Sequence, residues 1–203
     1  PAKGDGRVVD KLLEHTPLID LAYVIDLISS GGVAPRLQEV PKCALITLDN
    51  AWRIRCWKNS CLPVVVLSYP WLDWYHPDRE GAQLMRLIPI FNAVMKEVSA
   101  HRLLTPCRAF SRLRMPSLAT QAKATSKYAT IGLMMDYMCL PQKPFAAPDL
   151  KDQFRVSLSH INEWYFHTKT IVILVTSPAP EGAEYSNTRL HGDRGWYVGS
   201  PIF

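Results

Sequence analysis

Three uninterrupted apolar runs stand out along the chain, and each has the composition of a strand that is buried on both faces. They span residues 63–68, 131–136 and 170–175, and the third is rich in β-branched side chains. A short continuous hydrophobic run of this kind is typical of a central parallel strand. The sequence therefore predicts three adjacent parallel strands in one sheet.

The segments between these runs have apolar positions at helical spacing. Residues 80–99 follow the i, i+3, i+4 pattern, and Pro89 inside it indicates that the helix either kinks or begins late. Asp149 is a predicted N-cap for a second helix near residues 150–165. Alternation of strands and helices predicts an α/β fold with helices covering the sheet.

The first sixty residues have a different pattern. Residues 8–14 and 18–28 are predicted helices separated by Pro17, and residues 43–57 are predicted to form two short strands about a turn at Asp49 and Asn50. We therefore expect an N-terminal α+β appendage over residues 1–60 and the main α/β domain over residues 61–203.

Composition narrows the class of protein. The chain has 203 residues, a formal net charge of +5 and 48% hydrophobic residues, which is typical of a globular protein. Its five cysteines form no CxxC pair, and no His/Glu spacing for a metal is present, so we expect neither a disulfide framework nor a metal site. No run is long enough to span a membrane, and no signal-peptide core follows the N-terminus, which lacks Met and indicates a trimmed or processed chain. These features predict a soluble, cytoplasmic protein.

The basic residues are unevenly distributed. From Val98 to Met135 the chain has no acidic residue but has six basic ones, Arg102, Arg108, Arg112, Arg114, Lys123 and Lys127. The simplest interpretation is a solvated connection, and the alternative is a patch that binds phosphate or an anionic surface. Because the stretch lacks the interleaved aromatic residues of single-strand binders, nucleic acid is the least favoured partner.

Polar and aromatic residues follow the apolar runs. Ser68, Tyr69 and Trp71 come at the end of the first run, and Asp136 ends the second. In open α/β sheets, ligands bind at the carboxyl ends of the strands, so these side chains predict a common pocket. Three of them also have a structural interpretation: Ser68 as a turn residue, Asp136 in an Asx-type turn, and Trp71 as a packing anchor.

The residues around both strand ends resemble a known family. Residues 67–71 (LSYPW) and 135–142 (MDYMCLPQ) resemble the paired signatures of HET-type domains, which are relatives of the TIR fold. In the TIR pattern the third strand precedes a Trp-x-x-x-Glu helix, and here Trp196 follows the third run. The resemblance covers about residues 62–200. It implies a TIR/HET-like, flavodoxin-like parallel sheet flanked by helices.

The same resemblance implies an activity. TIR-like enzymes cleave the nicotinamide–ribose bond of NAD+, so the expected function is NAD+ glycohydrolase or ADP-ribosyl cyclase, with NAD+ as substrate and no cofactor. Such a protein acts as a toxin, pathogen effector or immune protein in cell death, in the cytoplasm or delivered into a target cell. The expected catalytic positions are Asp136, Glu184 and Ser200, and the expected substrate-binding residues are Ser68, Tyr69, Trp71, Asp73 and Trp196.

Ser200 departs from that pattern. It lies four residues after Trp196, where the TIR pattern has its catalytic Glu, and a serine cannot serve as a carboxylate. Three explanations stay open: the site is naturally inactive, the residue has been substituted, or another residue such as Glu184 supplies the carboxylate. The alternative function is therefore a non-catalytic TIR/HET-like scaffold that forms a homo-oligomer in cell-death signalling.

Overall fold

The computed structural model of the chain describes residues 11–49, 51, 62–104, 131–168, 170–181 and 184–187. For residues 99–104 it describes the backbone alone. Its strands are β1 (Leu18–Asp20), β2 (Leu45–Ile46), β3 (Val64–Ser68), β4 (Gly132–Met134) and β5 (Thr170–Leu174). Its helices include α1 (Leu21–Ser29), α2 (Ala82–Leu104), α3 (Asp136–Cys139), α4 (Pro148–Ser159) and α5 (Ile161–Phe166).

The five strands form one mixed sheet in the order β2-β1-β4-β3-β5. β3 pairs in parallel with β4 on one side and with β5 on the other, and Val64 faces both Gly132 and Thr170. The prediction of three adjacent parallel strands is thus confirmed. β1 pairs antiparallel with both β4 and β2, so the sheet is parallel only in its β4-β3-β5 part.

β1 and β2 correct the prediction for the N-terminal region. Residues 18–20 form a strand and not the start of a helix, because Asp20 is extended and its Oδ1 accepts a hydrogen bond from the Ala22 amide, 2.8 Å away, as the N-cap of α1. Leu18 and Ile19 are fully buried in the core that contains β3 and β4. This segment therefore extends the main sheet and is not an appendage beside it. The predicted domain boundary between residues 60 and 61 lies outside the described residues and stays a prediction.

The predicted hairpin over residues 43–57 is not observed where the structure describes the chain. Residues 45 and 46 form β2, but residues 48, 49 and 51 are helical, and the second predicted strand lies outside the described residues. β2 instead pairs with β1, with Leu18 opposite Ile46. β2 therefore pairs with the buried strand β1, about 25 residues earlier in the chain, and not with a strand across a local turn.

The helices match their predicted positions, with corrected ends. α2 begins at Ala82, ahead of Pro89, so it does not begin late. The segment near residues 150–165 is divided into α4 and α5 at His160. Asp149 is not the N-cap: that position is Ala147, because Pro148 suits the first helical position. Asp149 lies inside the first turn, where a negative charge interacts favourably with the helix dipole.

β5 is less buried than its sequence predicts. Ile171, Val172 and Leu174 are 47%, 37% and 48% exposed, whereas Val64, Val65 and Val66 of β3 are almost fully buried. In the described part of the chain β5 has a strand neighbour on one side only, which explains the difference. None of the described helices is long and apolar enough to cross a bilayer.

Candidate functional site at the carboxyl end of the sheet

The carboxyl ends of β3 and β4 are joined by hydrogen bonds to one carboxylate. Asp136 begins α3, directly beyond β4, and its Oδ1 accepts a hydrogen bond from the Tyr69 hydroxyl. Its Oδ2 accepts from Trp71 Nε1 at 3.1 Å. Parallel strands end at the same side of a sheet, so two runs that are far apart in sequence deliver their end residues to one place. We call Tyr69, Trp71 and Asp136 the strand-end cluster.

The Asp136 carboxylate has a third donor. The backbone N–H of Tyr137 lies 2.7 Å from Oδ1, which is a local contact of the kind that holds a turn. Burial raises the pKa of Asp136, while the hydrogen bonds from Tyr69, Tyr137 and Trp71 act in the opposite direction. The group therefore holds a proton more tightly than an ordinary aspartate.

Two tyrosines surround this carboxylate. Tyr69 is 8% exposed, and its burial together with the charge of Asp136 raises its pKa well above the usual value, so that it stays a hydrogen-bond donor. Tyr165 of α5 has its pKa raised to about 12, mainly by burial and then by Asp136, while a hydrogen bond with Ser68 lowers it. Ser68 is thereby connected to the cluster. Sequence analysis missed Tyr165, because its helical position indicated only packing.

The Tyr137 ring connects the strand-end cluster to His76 through aromatic contacts. The Tyr137 ring meets the Trp71 ring edge-on, with centroids 5.5 Å apart, and the His76 ring at 4.8 Å. His76 Nδ1 accepts a hydrogen bond from the Asp78 amide at 3.0 Å, so the neutral ring carries its proton on Nε2, which lies 3.0 Å from the Ala34 carbonyl oxygen. His76 is therefore fixed in one orientation.

Asp73 lies in a different contact. Its Oδ1 accepts two hydrogen bonds from Ser186, one from the backbone N–H and one from the hydroxyl, both at 3.0 Å. These bonds, with help from Arg79, lower the pKa of Asp73. The Asp73 side chain is thus bound by Ser186 of the segment after β5 and lies near Arg79 of the loop after β3, and its predicted substrate-binding role stays a prediction.

Glu184 also lies in that segment, and its contact uses the backbone. The Glu184 carbonyl oxygen accepts from Arg79 Nη2 at 2.9 Å, whereas the side chain is exposed. Together with the Asn187 N–H, which donates to the Leu72 carbonyl at 2.9 Å, it fastens the chain after β5 to the loop after β3. The other predicted site residues, Trp196 and Ser200, lie outside the described residues.

Gln142 and Cys139 of the 135–142 motif have structural contacts. Gln142 Nε2 donates to the carbonyl oxygens of Asp136 and Leu140, at 3.2 and 2.9 Å, and so closes the turn after α3. Cys139 is fully buried, and burial raises its pKa to about 12, which keeps the thiol protonated. Cys139 is therefore not an activated nucleophile.

A separate open cleft of about 370 Å³ lies near the start of β1 and the end of β2. None of the predicted site residues lines it; its walls are Leu13, Glu14, His15, Pro17, Thr47, Leu48, Asp49 and Gln153. Within the described ranges, no group of three or more His, Cys, Asp or Glu side chains is placed to hold a metal ion. The strand-end cluster brings three predicted site residues into direct contact, while Arg79 contacts two others, Asp73 and the Glu184 carbonyl.

Comparison with known proteins adds no further constraint. No protein-family model, no curated protein and no solved structure matches this chain. The described residues form an α/β fold with a partly parallel five-stranded sheet, flanked by helices, and a hydrogen-bonded cluster at the carboxyl ends of β3 and β4.

Proposed function

We propose that this chain is a TIR/HET-like α/β domain that binds NAD+ at the carboxyl ends of β3 and β4 and cleaves its nicotinamide–ribose bond. One observation supports this most: Tyr69 and Trp71 from one strand end both donate to Asp136 at the other, where open α/β sheets bind their ligands. The biological role we propose is that of a toxin, effector or immune protein that depletes or converts NAD+.

The chemistry requires a carboxylate beside the ribose. Cleavage breaks the bond between ribose C1′ and the pyridinium nitrogen, nicotinamide leaves with the electron pair, and positive charge develops on the ribose. Water attack then gives ADP-ribose and a proton, whereas attack by the adenine ring gives the cyclic product. Either route passes through an oxocarbenium-like transition state of the kind that carboxylates stabilise in glycosidases.

Asp136 is suited to hold the ribose. Its Oδ2 accepts one described hydrogen bond, from Trp71, and a carboxylate oxygen has two lone pairs, so a ribose hydroxyl can be bound there. Tyr69 remains protonated and keeps the carboxylate in place. The charge-stabilising carboxylate is then Asp136 itself or Glu184, with Ser200 at the position where the resemblance implies a Glu.

An NAD+ cleavage assay tests the proposal. Nicotinamide release is measured for the parent, Asp136→Asn, Glu184→Gln and Ser200→Glu, with thermal melts for folding and the exposed Asp149→Asn as matched control. If Asp136 holds the ribose, Asp136→Asn lowers the rate by on the order of a hundredfold or more while Asp149→Asn does not. If the parent is inactive for want of a carboxylate, Ser200→Glu produces activity.

The second candidate function is self-association without catalysis. β5 lies at the edge of the sheet as far as the structure describes it, and its exposed residues Ile171, Val172 and Leu174 favour this candidate. A strand edge without charged residues is a template for pairing with another chain. If none of the variants releases nicotinamide while all remain folded, the enzyme proposal is wrong. The scaffold then predicts a mass that rises with concentration in light scattering and falls in Val172→Lys.

A further inference from the structure

We infer that residues 73–76, which we call the aromatic turn, bind the purine ring of an adenine nucleotide at the outer rim of the strand-end cluster. This inference rests on the proposed function, because it assigns the adenine end of NAD+ to a surface of the same site. The stacking residues are Trp74 and Tyr75.

The aromatic turn exposes two large aromatic side chains that are consecutive in the sequence. The Asp73 N–H donates to the His76 carbonyl at 3.2 Å and closes the turn, with Trp74 and Tyr75 at its apex. Their side chains are 68% and 92% exposed. Single exposed apolar residues are common, but two consecutive exposed aromatic residues in a closed turn each offer a ring on which a planar base can stack.

The two aromatic residues of the strand-end cluster already make contacts within the protein. Tyr69 is 8% exposed and bonded to Asp136, and Trp71 is bonded to Asp136 and packed against Tyr137. These are the aromatic residues that the motif indicates for contact with the ligand. Since Tyr69 is almost fully buried and Trp71 is held by Asp136 and Tyr137, we assign stacking on a base to the more exposed Trp74 and Tyr75.

Both ends of the aromatic turn are anchored. On one side, Trp71 is held by Asp136; on the other, His76 contacts the Tyr137 ring and the Ala34 carbonyl. From outside, Ser186 accepts a hydrogen bond from the Trp74 N–H at 3.3 Å and binds Asp73. A surface that is held in place before the ligand arrives loses little conformational entropy on binding.

The position of the aromatic turn relative to Asp136 favours binding of the adenine end of NAD+ over the nicotinamide end. Trp74 is three residues from Trp71, so their Cα atoms are at most about 11 Å apart, and the turn is close to Asp136 but outside the cluster. The bond that breaks must lie at the carboxylate, so nicotinamide and its ribose occupy the inner position. The adenosine end of the dinucleotide then extends to the exposed turn.

Calorimetric titration with AMP and, separately, with nicotinamide mononucleotide tests the inference. The proteins are the parent, Trp74→Ala, Tyr75→Ala and the control Phe166→Ala, which removes an 84% exposed aromatic ring at the end of α5. We expect Trp74→Ala to weaken AMP binding roughly tenfold, with a smaller effect of Tyr75→Ala and none of Phe166→Ala. Binding of nicotinamide mononucleotide should change less than twofold.

The outcomes separate this inference from the proposed function. If Trp74→Ala and Tyr75→Ala bind AMP as the parent does, or if the parent cleaves NAD+ but does not bind AMP, the aromatic turn is not the purine site while the cleavage site stands. If the parent binds AMP through Trp74 yet releases no nicotinamide, the purine site stands and the proposed reaction is wrong. In an active parent, Trp74→Ala should raise KM for NAD+ with little change in kcat.

Discussion

Asp20 shows how one buried carboxylate makes stability depend on pH. It is 3% exposed, and burial raises its pKa from 3.8 to about 6, with a small contribution from Asp26, while the N–H groups of Ala22 and Tyr23 act against the shift. The folded state therefore keeps this proton in a range where the unfolded chain releases it. Between pH 4 and 6 the folded state binds more protons, so the free energy of unfolding falls as pH rises and is constant above that range.

Asp20→Asn should remove this dependence. A shift of about two pKa units corresponds to about 3 kcal/mol at most, and Asn is as good an N-cap as Asp, so the hydrogen bond to Ala22 can be kept. We expect the variant to be more stable than the parent at pH 7 and equal to it near pH 4, in urea unfolding at both pH values. Asp149→Asn is the exposed control, and an unchanged slope in Asp20→Asn would contradict the assignment.

At the scale of the elements, the Leu18 side chain of β1 lies close against Gly132 of β4. A Cβ on this residue would lie 2.6 Å from Cδ1 of Leu18 and 3.3 Å from its Cβ, and both residues are fully buried. A side chain at position 132 would therefore force the Leu18 side chain to shift where β1 pairs with β4.

Gly132→Ala should lower the free energy of unfolding by about 1–3 kcal/mol, because the added methyl group overpacks the contact with Leu18. Urea unfolding measures the change. In a Leu18→Val background, which lacks the Cδ1 atom, the same substitution should cost less, and the difference is the coupling between the two residues. Equal costs in both backgrounds would show that the contact is not the cause.

At the scale of the whole molecule, contacts between distant segments hold the loops over the sheet. Ser186 binds Asp73 across 113 positions of the sequence, and Gln38 donates to the Gln142 carbonyl across 104. The first contact fastens the chain after β5 to the loop after β3. It therefore determines how firmly the aromatic turn is held.

Ser186→Ala should loosen that turn and leave the core intact. It removes the hydroxyl bonds to Asp73 and from the Trp74 N–H, so we expect faster amide exchange at Trp74 and faster chymotryptic cleavage there. The melting temperature should change little, because these bonds are exposed. Ser159→Ala, which removes only a local bond to the Val156 carbonyl, is the control, and equal protection of Trp74 in both variants would contradict the prediction.

The sequence by itself determined the three parallel strands and the meeting of Tyr69, Trp71 and Asp136. Short continuous apolar runs are typical of parallel strands, and parallel strands end at one side of the sheet, so both results follow from local pattern and strand geometry. No contact beyond those rules was needed to predict them.

Only the tertiary structure decided which elements lie beside these strands and which side chains they engage. Pairing with β4 makes residues 18–20 a strand, and the position of β5 at the side of the described sheet leaves it partly exposed. The contacts of Asp73 with Ser186 and of Tyr165 with Ser68 were not predicted, because they depend on how segments about 100 residues apart pack. Local sequence pattern reports the preferences of a segment but not its neighbours, and here the neighbours decide the outcome.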